Sequence, residues 1–187
     1  WNAYTLGGSV DLTVKPRYSL APVTPVPGPE ESTTDAVADT ETEELTTEGY
    51  EFYSPLDKLG RCGVVIASVG RETMPAENED RGNISSVKPT GWVQASYASM
   101  GGQPLYNRAH LIGWQLTGEN ANECNLITGT RYLNVEGMLP FENMVADYIW
   151  ETGNHVLYRV TPIFQGDELV ARGVQMEAYS VEDSGEG

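Results

Sequence analysis

Cysteine, histidine and positive charge are scarce: the 187 residues include 2 Cys, 2 His and 11 Lys+Arg against 27 Asp+Glu. Two cysteines cannot frame a disulfide miniprotein, and a chain this long buries enough surface in one core to need neither such staples nor a structural metal. No run approaches the roughly 18 to 20 apolar residues of a membrane-spanning helix, so no membrane span is expected. Also missing are the Cys/His spacing of a zinc site, a Gly-rich phosphate loop with its Lys, and a serine elbow. A formal net charge of −16 argues against a general polyanion binder, because a phosphate backbone is repelled by negative charge.

That exclusion weakens once the charge is mapped. Residues 30–51 hold nine acids and no base, and residues 177–187 add four more acids, so these two stretches supply −13 of the −16. Between Lys58 and Arg131, inclusive, seven basic residues face six acidic ones, which leaves room for a local basic surface. Residues 21–47 are Pro-rich (Pro22, Pro25, Pro27, Pro29) and then Thr- and Glu-rich. They read as a solvated spacer, or as an acidic strip that screens a basic cleft. The expected organisation is a strand segment within 1–20, a Pro-rich then acidic linker over 21–49, a globular domain over 50–182 and an acidic tail over 183–187.

The globular part mixes two periodicities. Residues 62–69 (CGVVIASV) have the continuous apolar character of a buried strand, and 91–97 alternate like a half-buried one. Further extended pieces are expected over 105–111 and 125–128. Phe141, Val145, Tyr148 and Ile149 share one helical face that Gly153 closes, with Pro140 near the helix start or at a break between a short and a long helix. Residues 156–164 and 169–179 flank Gln165-Gly166-Asp167 as a hairpin, and 9–14 alternate well enough for a short strand. This order predicts an α+β fold with a mainly antiparallel sheet.

The two histidines narrow the search for chemistry. His155 follows the helix stop and reads as structural. His110 interrupts an apolar strand, with Arg108 two residues away on the same face. A base that is neutral near pH 7 beside a fixed cation suits phosphodiester hydrolysis, although a core histidine bonded to backbone explains the same pattern. Among the asparagines, most read as turn residues. Asn134, at the start of the helical stretch, offers a neutral oxygen suited to a hard cation that keeps most of its waters, such as Mg²⁺.

Four blocks now carry a family resemblance: Lys58-Leu59-Gly60-Arg61-Cys62-Gly63, the stretch from Arg81-Gly82 to Trp92, residues 106–116, and residues 125–144. Over roughly residues 50–182 the chain resembles the secreted bacterial DNA/RNA non-specific endonucleases of the ββα-metal type, streptodornase-like and DNA-entry nucleases among them. The resemblance implies a ββα-metal motif and a secreted or cell-surface enzyme that cuts DNA, with RNA as a second candidate substrate and the preference between them not fixed by the sequence, leaving 5′-phosphate and 3′-hydroxyl ends. In Asn107-Arg108-Ala109-His110, His110 matches the general base. Asn134 matches the protein ligand of Mg²⁺, with Mn²⁺ as the alternative ion, and Glu142 matches a carboxylate that in some relatives holds metal-bound water. Arg108, Arg81 and Lys88, in that order, are candidate phosphate contacts, and Arg131 and Gln115 complete the candidate substrate set. Asn107 and Ala109 depart from the Asp and Gly of the family motif. Relatives continue with sheet-forming sequence past the position of Gly187, so either that sheet edge is missing or the strand near Val10 fills it.

Two other readings fit the same residues: a non-catalytic surface or interaction module, and an exported nuclease toxin held by an inhibitor protein. The presence of both His110 and Asn134 argues against the first.

Overall fold

The structure is a computed structural model and describes residues 11–12, 45–96, 98 and 101–186. Most of the Pro-rich and acidic stretch lies outside the described residues. The elements are β1 (Asp11–Leu12), β2 (Tyr50–Tyr53), β3 (Val65–Val69), β4 (Tyr106–His110), α1 (Trp114–Thr117), β5 (Leu126–Thr130), a π-helical turn (Leu133–Met138), α2 (Leu139–Thr152), β6 (Val156–Ile163) and β7 (Gly173–Ser180). A five-stranded sheet runs in the order β1-β7-β6-β3-β2, and β4 and β5 form a second, two-stranded sheet. All pairings are antiparallel except β1 on β7, where Asp11 lies opposite Gln175. The expected α+β class with mainly antiparallel sheet therefore holds, and β1 occupies the β7 edge.

β3 is buried at every residue because it lies between β6 and β2 with both faces covered. One core joins Val65, Ala67 and Val69 of β3 to Tyr158 and Val160 of β6, Val174 and Met176 of β7, and Val145, Ala146 and Ile149 of α2. Ala109 and Ile127 of the small sheet pack into the same core, which fixes that sheet against the helix.

α2 buries the face read from its apolar spacing and stops at Gly153, whose φ of 75° suits glycine. No basic residue lies in its last turn. Arg71, from the loop after β3, replaces one: its guanidinium donates to the carbonyls of Ile149 and Trp150 and stacks 5.2 Å from the Trp150 ring centroid. A cation at a helix C-terminus contributes about 0.3–1 kcal/mol when exposed. At the other end Pro140 sits in the first turn of α2, near the helix start as its position suggested. A π turn precedes it, in which Leu139 N–H donates to the Asn134 carbonyl. Proline is tolerated at the helix start because its missing N–H is one the first turn would leave without an intrahelical acceptor.

The strand expected over 91–97 is not formed among its described residues, apart from one bridge between Ser96 and Pro104. Trp92 instead stacks on Arg108, and Val93 is exposed. The Lys58–Gly63 block is also structural. Asp57 Oδ1 accepts the backbone N–H groups of Leu59 and Arg61, while the Arg61 guanidinium donates to Gly166 O at 2.6 Å, pinning the β6–β7 turn. Both cysteines are free; Cys62 Sγ donates to Glu123 O at 3.3 Å, and burial pushes its thiol up to about 12.

His155 is bound on both ring nitrogens, with Nδ1 2.6 Å from Glu182 and Nε2 2.9 Å from Glu72. Burial by itself would lower its pKa, but the hydrogen bonds from Glu182 and Glu72 outweigh it and raise the value above 6.5. A raised folded pKa gives stabilisation that is complete below the unfolded value and lost as pH climbs through the folded one. His155→Gln should therefore lower Tm more at about pH 5.5 than at about pH 9. Equal drops in calorimetry at both values would show that the cluster adds no charge-dependent stability.

Candidate active site

The small sheet and the helix after it form a strand, strand, helix unit that carries the candidate residues. His110 ends β4, facing Leu126 across the ladder. Beyond the last ladder pair, Asn125 continues the connection. Its backbone carbonyl accepts Leu111 N–H at 2.8 Å, its side-chain Oδ1 accepts Ile112 N–H at 2.9 Å, and its Nδ2 donates to Ile112 O at 3.0 Å. The side chain is fully buried, so these bonds lock the chain just after His110 to the loop before β5.

That loop sets the imidazole. His110 is only 4% exposed, and its Nε2 lies 2.7 Å from the Asn120 carbonyl. A carbonyl only accepts, so Nε2 carries the hydrogen and Nδ1 keeps its lone pair. Arg81 Nη2 lies 2.9 Å from Nδ1 and donates to it. Burial lowers the His110 pKa, the Asn120 hydrogen bond works against that, and the Arg81 charge adds to the lowering. The ring is neutral at pH 7, and its one lone pair accepts the Arg81 guanidinium.

Glu142, on α2, is the second buried titratable group here. Burial pushes its carboxyl up to about 7, with Arg81 partly offsetting the rise. A Cβ added at Gly113 would come 2.7 Å from Glu142 Oε2, so the chain beyond His110 passes close against this carboxylate. At Gly82 an added Cβ would strike the Asn120 amide, which brings the Arg81 segment against the Asn120 loop. Asn134, Met138 and Glu142 follow one another at four-residue steps on the helix, half-buried, 1% and 8% exposed respectively.

The guanidinium of Arg108 points elsewhere. Its Nε donates to Val87 O at 2.5 Å and its Nη2 to Ser85 O at 3.1 Å, while its carbon sits 4.0 Å from the Trp92 ring centroid. The structure thus brings Arg81 to His110 and engages Arg108 in holding the 85–92 loop. Lys88 and Arg131 are exposed, and their side chains have no partner among the described residues. Gln115 Nε2 donates to Asn143 Oδ1 at 3.0 Å. The Asn120 carbonyl, Asn125, Gly82 and Gly113 escaped the sequence reading. The only signals were the density of asparagines and the glycine beside each functional block.

The donor chemistry fits a hydrated hard cation. Asn134 offers an amide oxygen with no hydrogen-bond partner among the described residues, and Glu142 offers a carboxylate. No group of three or more His, Cys, Asp or Glu among the described residues could hold an ion. Few oxygen ligands and no thiolate suit an ion that retains most of its water, as Mg²⁺ does.

Comparison with solved structures finds the same fold in NucA from Streptococcus agalactiae with magnesium ion bound, at 24% identity and a TM-score of 0.63 over 72% of this chain. It is also found in Sda1 nuclease with bound zinc ion, at 28% identity and a TM-score of 0.64 over 72% of this chain. A protein described as an extracellular nuclease matches at 25% identity and a TM-score of 0.55, over 75% of this chain and 72% of its own. The chain spans 66% of the length of NucA and 70% of that of Sda1. A comparison with curated proteins finds no match. Residues 40–182 match the sequence pattern of the DNA/RNA non-specific endonucleases, and with that pattern covering most of the sequence the chain belongs to this family.

Proposed function

We propose that this protein is a sequence-non-specific, divalent-metal-dependent endonuclease that hydrolyses phosphodiester bonds of DNA and of RNA, with His110 as the general base. The observation that carries this reading is the fixed tautomer of His110: Nε2–H is spent on the Asn120 carbonyl at 2.7 Å, which leaves the Nδ1 lone pair for chemistry. The extracellular nuclease among its structural neighbours supports secretion, and no described helix is long and apolar enough to cross a membrane.

The residues divide the work as follows. Nδ1 of His110 takes a proton from water, and the resulting oxygen nucleophile attacks phosphorus in line with the departing 3′ oxygen. Arg81 places a cation against the phosphate as charge builds there. Asn134 would hold Mg²⁺, or Mn²⁺, with Glu142 ordering its hydration. When bound, the cation supplies Lewis-acid stabilisation of the phosphoryl oxygens. Lys88 and Arg131 contact the backbone farther out. Contacts of this kind read phosphates and sugars, which carry no sequence information, and so the cut is non-specific.

Plasmid digestion tests this directly. Cleavage should require a divalent cation and stop in EDTA, and His110→Ala should reduce the rate by about 10² to 10⁴-fold with an unchanged circular dichroism spectrum. A folded His110→Ala protein within about threefold of wild type contradicts the assignment, since a general base contributes far more.

Asn134→Ala should raise the Mg²⁺ concentration needed for half-maximal cleavage. Asn122→Ala should leave that requirement unchanged, because Asn122 Oδ1 accepts the Cys124 N–H at 2.9 Å and serves the turn. The opposite pattern in a metal titration would move the cation to another asparagine.

A further inference from the structure

We propose that Arg81 caps the general base of the free protein and that the phosphodiester substrate itself removes the cap. The guanidinium then has two positions, on Nδ1 of His110 without substrate and on a phosphate with it. This rests on the nuclease reading and adds a control step to it.

The hydrogen-bond roles leave no alternative assignment. The Asn120 carbonyl, 2.7 Å from Nε2, fixes the proton there. Arginine has five N–H donors and no acceptor, so the 2.9 Å contact between Arg81 Nη2 and His110 Nδ1 is a bond donated into the ring's remaining lone pair. A neutral imidazole has only one such lone pair, and a general base must use it. While Arg81 stays, Nδ1 cannot accept a hydrogen bond from the attacking water. A proton delivered to Nδ1 would also set two N–H groups and two positive charges against each other on a residue 4% exposed. The capped arrangement is therefore a resting state and not the reacting one.

The surroundings suit a cap that moves. Arg81 lies in the irregular stretch 75–90, in which no residue belongs to a strand or helix, and is itself exposed. Withdrawing it breaks no ladder or helical bond. A phosphate offers the guanidinium two acceptor oxygens and a full negative charge, where Nδ1 offers one neutral lone pair. The charge of Arg81 also reaches the buried Glu142 carboxyl, which puts that carboxyl within electrostatic range of the cap. The base is thus idle until a phosphate arrives, and a ligand without one leaves it capped.

Nitrogen NMR of the full chain labelled at histidine reads the cap directly. The protein holds only 2 histidines, and His155→Gln assigns the second signal. In EDTA, where no cleavage is expected, a short DNA duplex is titrated in while fluorescence anisotropy of labelled duplex follows binding. The His110 Nδ1 resonance of wild type should move at saturation and converge on the position that Arg81→Gln shows without DNA. If that variant fails to fold, Arg81→Met, which keeps the stem and removes every donor, carries the same comparison. A wild-type resonance unmoved at saturation overturns the cap, as does a variant that starts at the wild-type position. If the duplex binds and is cut once Mg²⁺ is restored while the resonance stays put, the cap alone is wrong. If the duplex neither binds nor is cut with Mg²⁺, the nuclease reading fails and takes the cap with it.

Discussion

The hydrogen bond from His110 Nε2 to the Asn120 carbonyl decides what every other group in the site can do. Were the proton on Nδ1 instead, Nε2 would turn a lone pair toward the carbonyl oxygen and Nδ1–H would face Arg81, so both contacts would become repulsive. The bond is short, at 2.7 Å, and the ring is buried. A single hydrogen bond of this kind contributes only about 0.5–1.5 kcal/mol net, but leaving its buried partners unpaired costs about 1–3 kcal/mol. That asymmetry holds the tautomer.

The carbonyl can perform this role only because its loop is anchored close by. Asn125 ties the loop to Leu111 and Ile112 through one backbone and two side-chain bonds, and Ala109, Leu111 and Ile112 are themselves fully buried. α2 completes the frame. One face packs Val145 and Ile149 into the shared core, and Glu142 of the same helix is buried beside Gly113. The basic residues are divided in a similar way. Arg61 pins a hairpin turn, Arg71 caps α2, Arg108 holds the 85–92 loop and Arg81 reaches His110, whereas the side chains of Lys88 and Arg131 have no partner among the described residues.

What was legible in the sequence follows from which patterns are local. The buried face of α2, the buried strand at 65–69 and the β6–β7 hairpin all announce themselves through periodicity and turn residues within a short window. The alternation over 91–97 has another origin. Trp92 is turned to a guanidinium and Val93 to solvent, so a strand-like pattern arises with no strand beside it. Strand geometry places Arg108 on the His110 face. It cannot foresee that the 85–87 carbonyls take up Arg108, or that Arg81, 29 residues before His110, reaches the imidazole instead. The π turn is equally hidden, since Pro140 marks only the start of the helix that follows it. The carbonyl role of Asn120 is carried by backbone, and no side-chain code reports it.

The most direct test of this account is a crystal structure of the His110→Ala protein with Mn²⁺ and an uncleaved DNA duplex, the cation being located by its anomalous scattering. The account predicts a single strong peak beside the Asn134 amide oxygen and a phosphate facing the space vacated by the imidazole, with the Arg81 guanidinium on that phosphate. A peak elsewhere, for instance among Glu72, position 155 and Glu182, or a phosphate bound away from position 110, would contradict it.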